Sequence, residues 1–318
     1  MGSLFILYDI MVKNIVVGII SVLLGAIFIF SAYAKLFPIE IFEFSFIEIK
    51  LANWTTAPFF ARFFIALEFF IGLLLLLNFK GGNRHLAKFT IYLLLLLTFY
   101  LVAIIFVQGN TSNCGCFGTY IKMTPLESII KNLVLLSLTA LLFLVPTKQN
   151  FSSQKIVVLS SALASIAAPF IINPIATNPP PSETKINYTL NLNALYIDGK
   201  TDRPKVNLRK DKRIIAFLSL TCPHCKIGAQ KLNIIHNHHP ELPIYYILNG
   251  EQSDLKNFLE ESKTTSINYS FMTLKEGFID NAGFNLPAIL WVNNSRVEHK
   301  TKYTQLDESD LIKWFNNN

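Results

Sequence analysis

Five stretches of this 318-residue chain are apolar over about the length a helix needs to cross a bilayer, and no other feature restricts its fold as much. A spanning helix takes about 20 mostly apolar residues, because its backbone N–H and C=O groups must all be satisfied within the segment. The stretches run from about Asn14 to Ala34, Ala57 to Phe79, Leu86 to Val107, Ile129 to Val145 and Ile156 to Ile172. The fifth is the shortest. Composition agrees, with 52% hydrophobic and only 15% charged residues, where soluble chains carry about 25% charged. The net charge of +7 does not point to nucleic acid. Up to the proline run near Pro179 there are 11 Lys/Arg and 6 Asp/Glu, and beyond it 17 and 15, with no basic stripe interleaved with aromatics. The excess charge reads as topology and contact with the lipid bilayer.

Ala32-Tyr33-Ala34 imitates a signal-peptidase site, but further spans follow at once, so the first stretch is expected to stay as a span. Met11-Val12-Lys13 reads as an alternative start. One set of loops carries Lys13, Lys80, Arg84, Lys88, Lys148 and Lys155. The other carries Lys35, Lys50 and Lys122, offset by Glu40, Glu43 and Glu48. This bias predicts an inside N-terminus and, after five crossings, an outside C-terminal domain. Whatever the orientation, a loop after span three and a domain after span five share one side.

Asn173 to Ser182, with Pro179-Pro180-Pro181, reads as an extended tether. Beyond it the pattern changes. Strands are expected at Arg213–Leu220, Pro243–Leu248, Ala288–Val292 and Arg296–Lys300, the last two paired across Asn293-Asn294. Helices are expected from Cys222 to about Asn237, from Ser253 (as N-cap) to Ser262, and from Asp307 to Phe315. Alternating strands and helices predict an α/β domain around a central sheet.

The four cysteines form two close pairs, Cys114/Cys116 and Cys222/Cys225. Two tight pairs suggest two redox units. A zinc site is the rival reading, but C-x-C spacing fits structural zinc poorly, and no metal is expected. Cys222 follows a strand pattern and opens a helix, whose first turn offers unpaired N–H groups and a positive dipole end. That setting favours the reactive thiolate. Pro223 suits the first turn, His224 adds a donor or a positive charge, and Cys225 stands one turn on. The expected roles are Cys222 as nucleophile and Cys225 as resolving thiol. In Cys114-Gly115-Cys116 a disulfide would close a very small, strained and labile ring. Glu68 is an acid inside span two, so a functional or paired role is the default. Arg62 lies on the same span but off its face, and Lys35 near the end of span one is a candidate partner. His236, His238 and His239 read as a solvated helix cap.

Phe217-Leu218-Ser219-Leu220-Thr221-Cys222-Pro223-His224-Cys225 resembles the active site of the thioredoxin superfamily, and its tetrapeptide is that of the DsbA-type oxidants. Asn285-Leu286-Pro287-Ala288-Ile289-Leu290 resembles the strand entry where that superfamily places a cis-proline facing the dithiol, a role that falls to Pro287. Pro287 lies only 62 positions beyond Cys225, so the domain looks closer to a compact thioredoxin or TlpA-like module. Cys114-Gly115-Cys116-Phe117-Gly118, Gly25 to Ser31 followed by Lys35-Leu36, and Ala66 to Gly72 resemble the MauE proteins of the DoxX-like membrane group, over roughly residues 13 to 145.

The resemblances imply a helical membrane bundle, with a four-helix MauE/DoxX-like core in 1–150. A fifth span and tether follow in 151–182, and a thioredoxin-like α/β domain in 183–318. They imply a thiol–disulfide oxidoreductase of the bacterial inner membrane, its soluble domain periplasmic. By this reading the soluble dithiol oxidises client proteins bearing cysteine thiols, and Cys114/Cys116 pass the electrons to a membrane acceptor such as quinone. Glu68 is then a candidate acceptor-binding residue, and no covalently bound cofactor is expected. The alternatives are a membrane-fed reductase of TlpA-like type, and a non-enzymatic assembly factor or chaperone.

Overall fold

The computed structural model describes residues 2–77, 84–110, 115–144, 155–175, 187–197, 201–264 and 266–317, and side chains from residue 11. Cys114, Lys80, Lys148, the expected span ends at Phe79 and Val145, and the Pro179–Pro181 tether lie outside the described residues. The chain divides into two compact units, Met1–Ile175 and Ala176–Asn318.

The first unit is helical: α1 (Gly2–Leu36), α2 (Ile39–Glu48), α3 (Ala57–Leu77), α4 (Arg84–Gln108), α5 (Pro125–Leu144) and α6 (Lys155–Ile172). Five of these are long and apolar enough to span, with qualifying segments of 26, 21, 25, 20 and 18 residues. At 1.5 Å per residue even the shortest reaches about 27 Å, near the ~30 Å of a hydrocarbon core. α1 runs unbroken through Ala32 and Ala34 and buries both.

α1 and α3 can approach closely because small residues meet at their crossing. A Cβ on Gly25 would lie 2.9 Å from the Gly72 carbonyl, and one on Gly72 would lie 2.7 Å from Ile29. The Ser21 hydroxyl donates to the Leu75 carbonyl at 2.8 Å beside this crossing. Leu24, Phe28, Ile71, Leu75, Leu94 and Leu135 belong to the packed interior. Ile19, Phe63, Phe99, Phe106, Ile130 and Leu163 remain exposed on the outside, as lipid contact requires.

One end of the bundle is tied together by polar contacts. α2, a half-polar helix not foreseen from the sequence, joins α4 there through Gln108 to Glu48 at 2.9 Å and Tyr100 to Ser45 at 2.6 Å. Arg62 is buried and satisfied by the Glu43 carboxylate at 2.7 Å and by the Pro58 and Asn173 carbonyls. The Asn173 amide donates to the Leu36 carbonyl at 3.0 Å. The chain therefore leaves α6 at the end where α1 finishes and α3 begins.

The second unit is a six-stranded sheet in the order β1-β6-β5-β2-β3-β4. The strands are β1 (Tyr188–Thr189), β2 (Lys212–Ser219), β3 (Ile244–Asn249), β4 (Asn268–Phe271), β5 (Ala288–Asn293) and β6 (Arg296–Thr301). β2, β3 and β4 run parallel, while β5 is antiparallel to β2 and β6 to β5. The helices are α7 (Pro223–His238), α8 (Gln252–Glu261), α9 (Phe278–Ala282) and α10 (Glu308–Asn316). The middle of β2 is buried on both faces, so the sheet needs cover on each side. Ile215, Phe217, Ile247 and Leu290 pack with the segment around Leu192 and with Phe278 of α9. On the opposite face Tyr246 donates to the Ala229 carbonyl of α7 at 2.8 Å, and Trp291 meets Trp314 of α10.

The expected strands and helices of this unit are present, with corrections at their ends. α8 begins at Gln252 with Glu251 as its cap residue, and Ser253 stands inside the first turn, so it is not the N-cap. The β5–β6 turn is formed by Asn294 and Ser295, both with positive φ, and Asn293 pairs with Arg296. A parallel β-α-β unit joined to an antiparallel hairpin and a closing helix, with the dithiol opening the first helix, is the thioredoxin fold.

Candidate active site

β2 delivers the dithiol. After Ser219 the Cys222 N–H donates to the Ser219 carbonyl at 3.2 Å, which turns the chain into α7. Cys222 is the N-cap with φ −80 and ψ 120, Pro223 follows in the first turn, and the Cys225 N–H returns to the Cys222 carbonyl at 3.1 Å. This places one cysteine outside the helix and the other a turn inside it.

Both are free thiols, and their surroundings differ. Cys222 is half-buried, whereas Cys225 is 0% exposed. Burial pushes the Cys225 thiol far up, the Ser219 N–H at 3.4 Å opposes this in part, and the neighbouring Cys222 adds to the rise. Cys225 is thus held as a thiol out of reach of a bulky partner. Cys222 alone of the two meets solvent.

Pro287 follows a cis peptide bond and is buried against α7. Gly228, one turn beyond Cys225, makes room for it: a Cβ there would lie 3.0 Å from Pro287 Cγ and 3.3 Å from Tyr303 Cβ. Tyr303 was not legible as a site residue. Its hydroxyl lies 3.2 Å from His224 Nδ1, the two rings stack at 6.0 Å, and its carbonyl accepts from Lys231 at 2.9 Å. The exposed His224 ring therefore has a fixed companion. His238 and His239 meet Glu308 at 3.3 and 2.8 Å, an α7–α10 clasp away from the thiols. No cluster suited to a metal exists among the described residues.

The other cysteine centre lies in the first unit. Cys114 is outside the described residues, and Cys116 is half-buried. The loop is seated on the last turns of α1. The Ser31 hydroxyl donates to the Cys116 carbonyl at 3.2 Å, and Phe117 packs on Phe30 with Lys131 4.5 Å from its ring. Gly118 has φ +56, and a Cβ there would fall 1.9 Å from the Ala34 carbonyl oxygen. Glu68 has the partner anticipated from the sequence: Lys35 Nζ lies 2.8 and 3.0 Å from its two oxygens, and both residues are 3% exposed. Ser31 is the residue sequence reasoning missed here, one small polar side chain among several on α1.

The fold and sites define a thioredoxin-fold dithiol domain carried on a helical membrane unit. Residues 13–145 match the family model described as "Methylamine utilisation protein MauE". The chain is similar to "Protein TlpB" of Flavobacterium psychrophilum, with 36% identity over 165 residues that cover 50% of this chain and 45% of that protein. The match thus spans less than half the length of that relative. Two solved structures are similar to part of this chain. The thioredoxin domain of a thiol-disulfide oxidoreductase from Bacteroides vulgatus is 16% identical, with 34% of this chain and 81% of that one covered and a TM-score of 0.29. A thiol:disulfide interchange protein from Bacteroides sp. is 17% identical, with 37% and 84% covered and a TM-score of 0.31. The fold assignment rests on the strand order and on the placement of Cys222, Cys225 and Pro287.

Proposed function

We propose that this chain is a membrane-bound thiol–disulfide oxidoreductase with an internal relay. The Cys222–Cys225 disulfide accepts two electrons and two protons from a pair of client thiols. Cys222 forms the mixed disulfide and Cys225 resolves it, with His224 and Pro287 flanking the exchange. The reduced pair then passes the electrons to a Cys114–Cys116 disulfide, and that pair reduces a membrane acceptor, a quinone being converted to its quinol. The bacterial inner membrane is the proposed location, with the soluble unit periplasmic. Lys35 counts as a buried ion-pair partner, which leaves Lys50 and Lys122 as the outer-loop cations and strengthens the charge bias.

The observation that carries this reading lies within the first unit. The Cys116 loop is held on the end of α1 that Asn173 contacts as the chain leaves α6. Carriage of both pairs on one chain raises their effective concentration toward millimolar. A quinone is supported by the rings beside the loop, where the exposed Tyr33 makes tilted contacts with Phe37 and Tyr120, and Tyr120 meets Phe30 edge-on. To serve as a ligand for that acceptor, Glu68 would have to release an oxygen from Lys35.

The test is a full-length Cys225→Ser protein in native membranes. The expected result is a client protein disulfide-linked to Cys222; a Cys222 thiol that forms no adduct overturns the reading. Reverse flow, with the membrane unit reducing the soluble dithiol, uses the same residues. A soluble-pair reduction potential near −270 mV, that of thioredoxin, would favour it over oxidation.

A further inference from the structure

Lys35 and Glu68 form a buried ion pair that, among the described residues, is linked through Ser31 to the backbone of Cys116. Taking both charges out of lipid or water is costly unless every donor is used. An ammonium has three protons. Two are aimed at the Glu68 oxygens at 2.8 and 3.0 Å, and the third at Ser31 Oγ at 2.6 Å. The face of the Phe42 ring lies 5.5 Å from the same nitrogen.

This arrangement dictates what Ser31 does. A helical serine ordinarily returns its hydroxyl proton to the carbonyl three or four residues back. Ser31 instead accepts from the ammonium and sends its single proton to the Cys116 carbonyl, 85 residues away, at 3.2 Å. The charged donor polarises the hydroxyl toward the carbonyl it faces. The chain of contacts runs from Glu68 through Lys35 and Ser31 to the backbone of the cysteine. Lys131, over the Phe117 ring, is a second cation beside the loop.

We propose that Ser31, Lys35 and Glu68 are positioning residues for Cys116, holding its loop against a buried ammonium so that the cysteine is kept reactive. The proposal rests on the reading of Cys114/Cys116 as an exchanging pair, but its test does not depend on the relay.

The experiment uses the full chain in lipid nanodiscs, with Cys114, Cys222 and Cys225 replaced by Ser so that Cys116 alone reacts. Its alkylation by iodoacetamide is followed across pH. Ser31→Ala, a mild change in a helix, is expected to slow the reaction at pH 7 about two- to tenfold, the worth of one hydrogen bond, and to move the pH profile. Ser31→Thr keeps the hydroxyl and should restore the parent profile. Lys35→Met/Glu68→Leu removes both charges together and should match Ser31→Ala. A Ser31→Ala profile that superimposes on the parent overturns the proposal. A companion Cys114→Ser/Cys225→Ser chain separates the two readings. A shifted alkylation profile without any Cys222–Cys116 adduct supports the positioning role while sinking the relay. An unshifted profile in a protein that forms the adduct sinks the positioning role alone.

Discussion

Gly118 offers the sharpest test of how the membrane cysteine loop is seated. Its φ of +56 belongs to the left-handed region, which costs an L-residue roughly 1–2 kcal/mol. Gly109 has φ +77 and nothing within 4 Å of where a Cβ would stand, so Gly109→Ala isolates that strain. Gly118→Ala adds a collision, because its Cβ would lie 1.9 Å from a backbone oxygen of α1 that cannot rotate away. The loop would have to retreat by roughly 1 Å, at an overpacking cost of about 1–3 kcal/mol. That displacement takes the Cys116 carbonyl out of hydrogen-bonding range of Ser31, now at 3.2 Å. Gly118→Ala should therefore lose roughly 2–5 kcal/mol and Gly109→Ala roughly 1–2, measured by denaturant unfolding in detergent. Cys116 alkylation should slow in the first variant and not in the second. Equal stability loss and equal alkylation in the two would refute the seating of the loop on α1.

The Lys35–Glu68 pair predicts strong non-additivity: Lys35→Met or Glu68→Gln alone should destabilise by about 3–5 kcal/mol, and Lys35→Met/Glu68→Leu should recover most of it in the same unfolding assay. Tyr303→Phe should shift the potential of the soluble dithiol by no more than about 30 mV, and the shift should vanish in a His224→Ala background, as read by equilibration with glutathione. Asp307 caps α10. Burial alone would raise its carboxyl, but the Ser309 hydroxyl and the Ser309 and Asp310 N–H groups hold it below its ordinary value. A depressed carboxyl stabilises the fold above its unfolded pKa and loses that effect as pH falls through the folded one. Asp307→Ala should thus cost about 0.5–2 kcal/mol at pH 7, and its melting temperature should approach the parent's as pH falls through and below the ordinary carboxylate range.

The spans were legible because length and apolarity leave few alternatives for a segment such as Ala57–Leu77. The soluble fold was legible because Cys222 and Pro287 mark its two strand–helix junctions. What stayed hidden lacked local signal. α2 alternates glutamate with phenylalanine and reads as a loop beside Pro38, and β4 spans only Asn268–Phe271. Glu68 announced itself as a buried acid, and Lys35 was a reasonable partner. The next link was hidden, since Ser31 ends the MauE-like stretch with no role attached to it until the 115–118 loop is laid against α1. Tyr303 sits in a short turn with no pattern, and only the packing beside Gly228 brings it to His224.

The central claim is that the two cysteine pairs exchange electrons within one chain. Full-length protein carrying Cys114→Ser and Cys225→Ser leaves one thiol in each unit. After mild oxidation in membranes and proteolysis, mass spectrometry should recover a peptide pair joined through Cys222 and Cys116, at a yield independent of protein concentration. Cys222 and Cys116 recovered only as separate thiols, or joined only between two copies of the chain, would contradict the account.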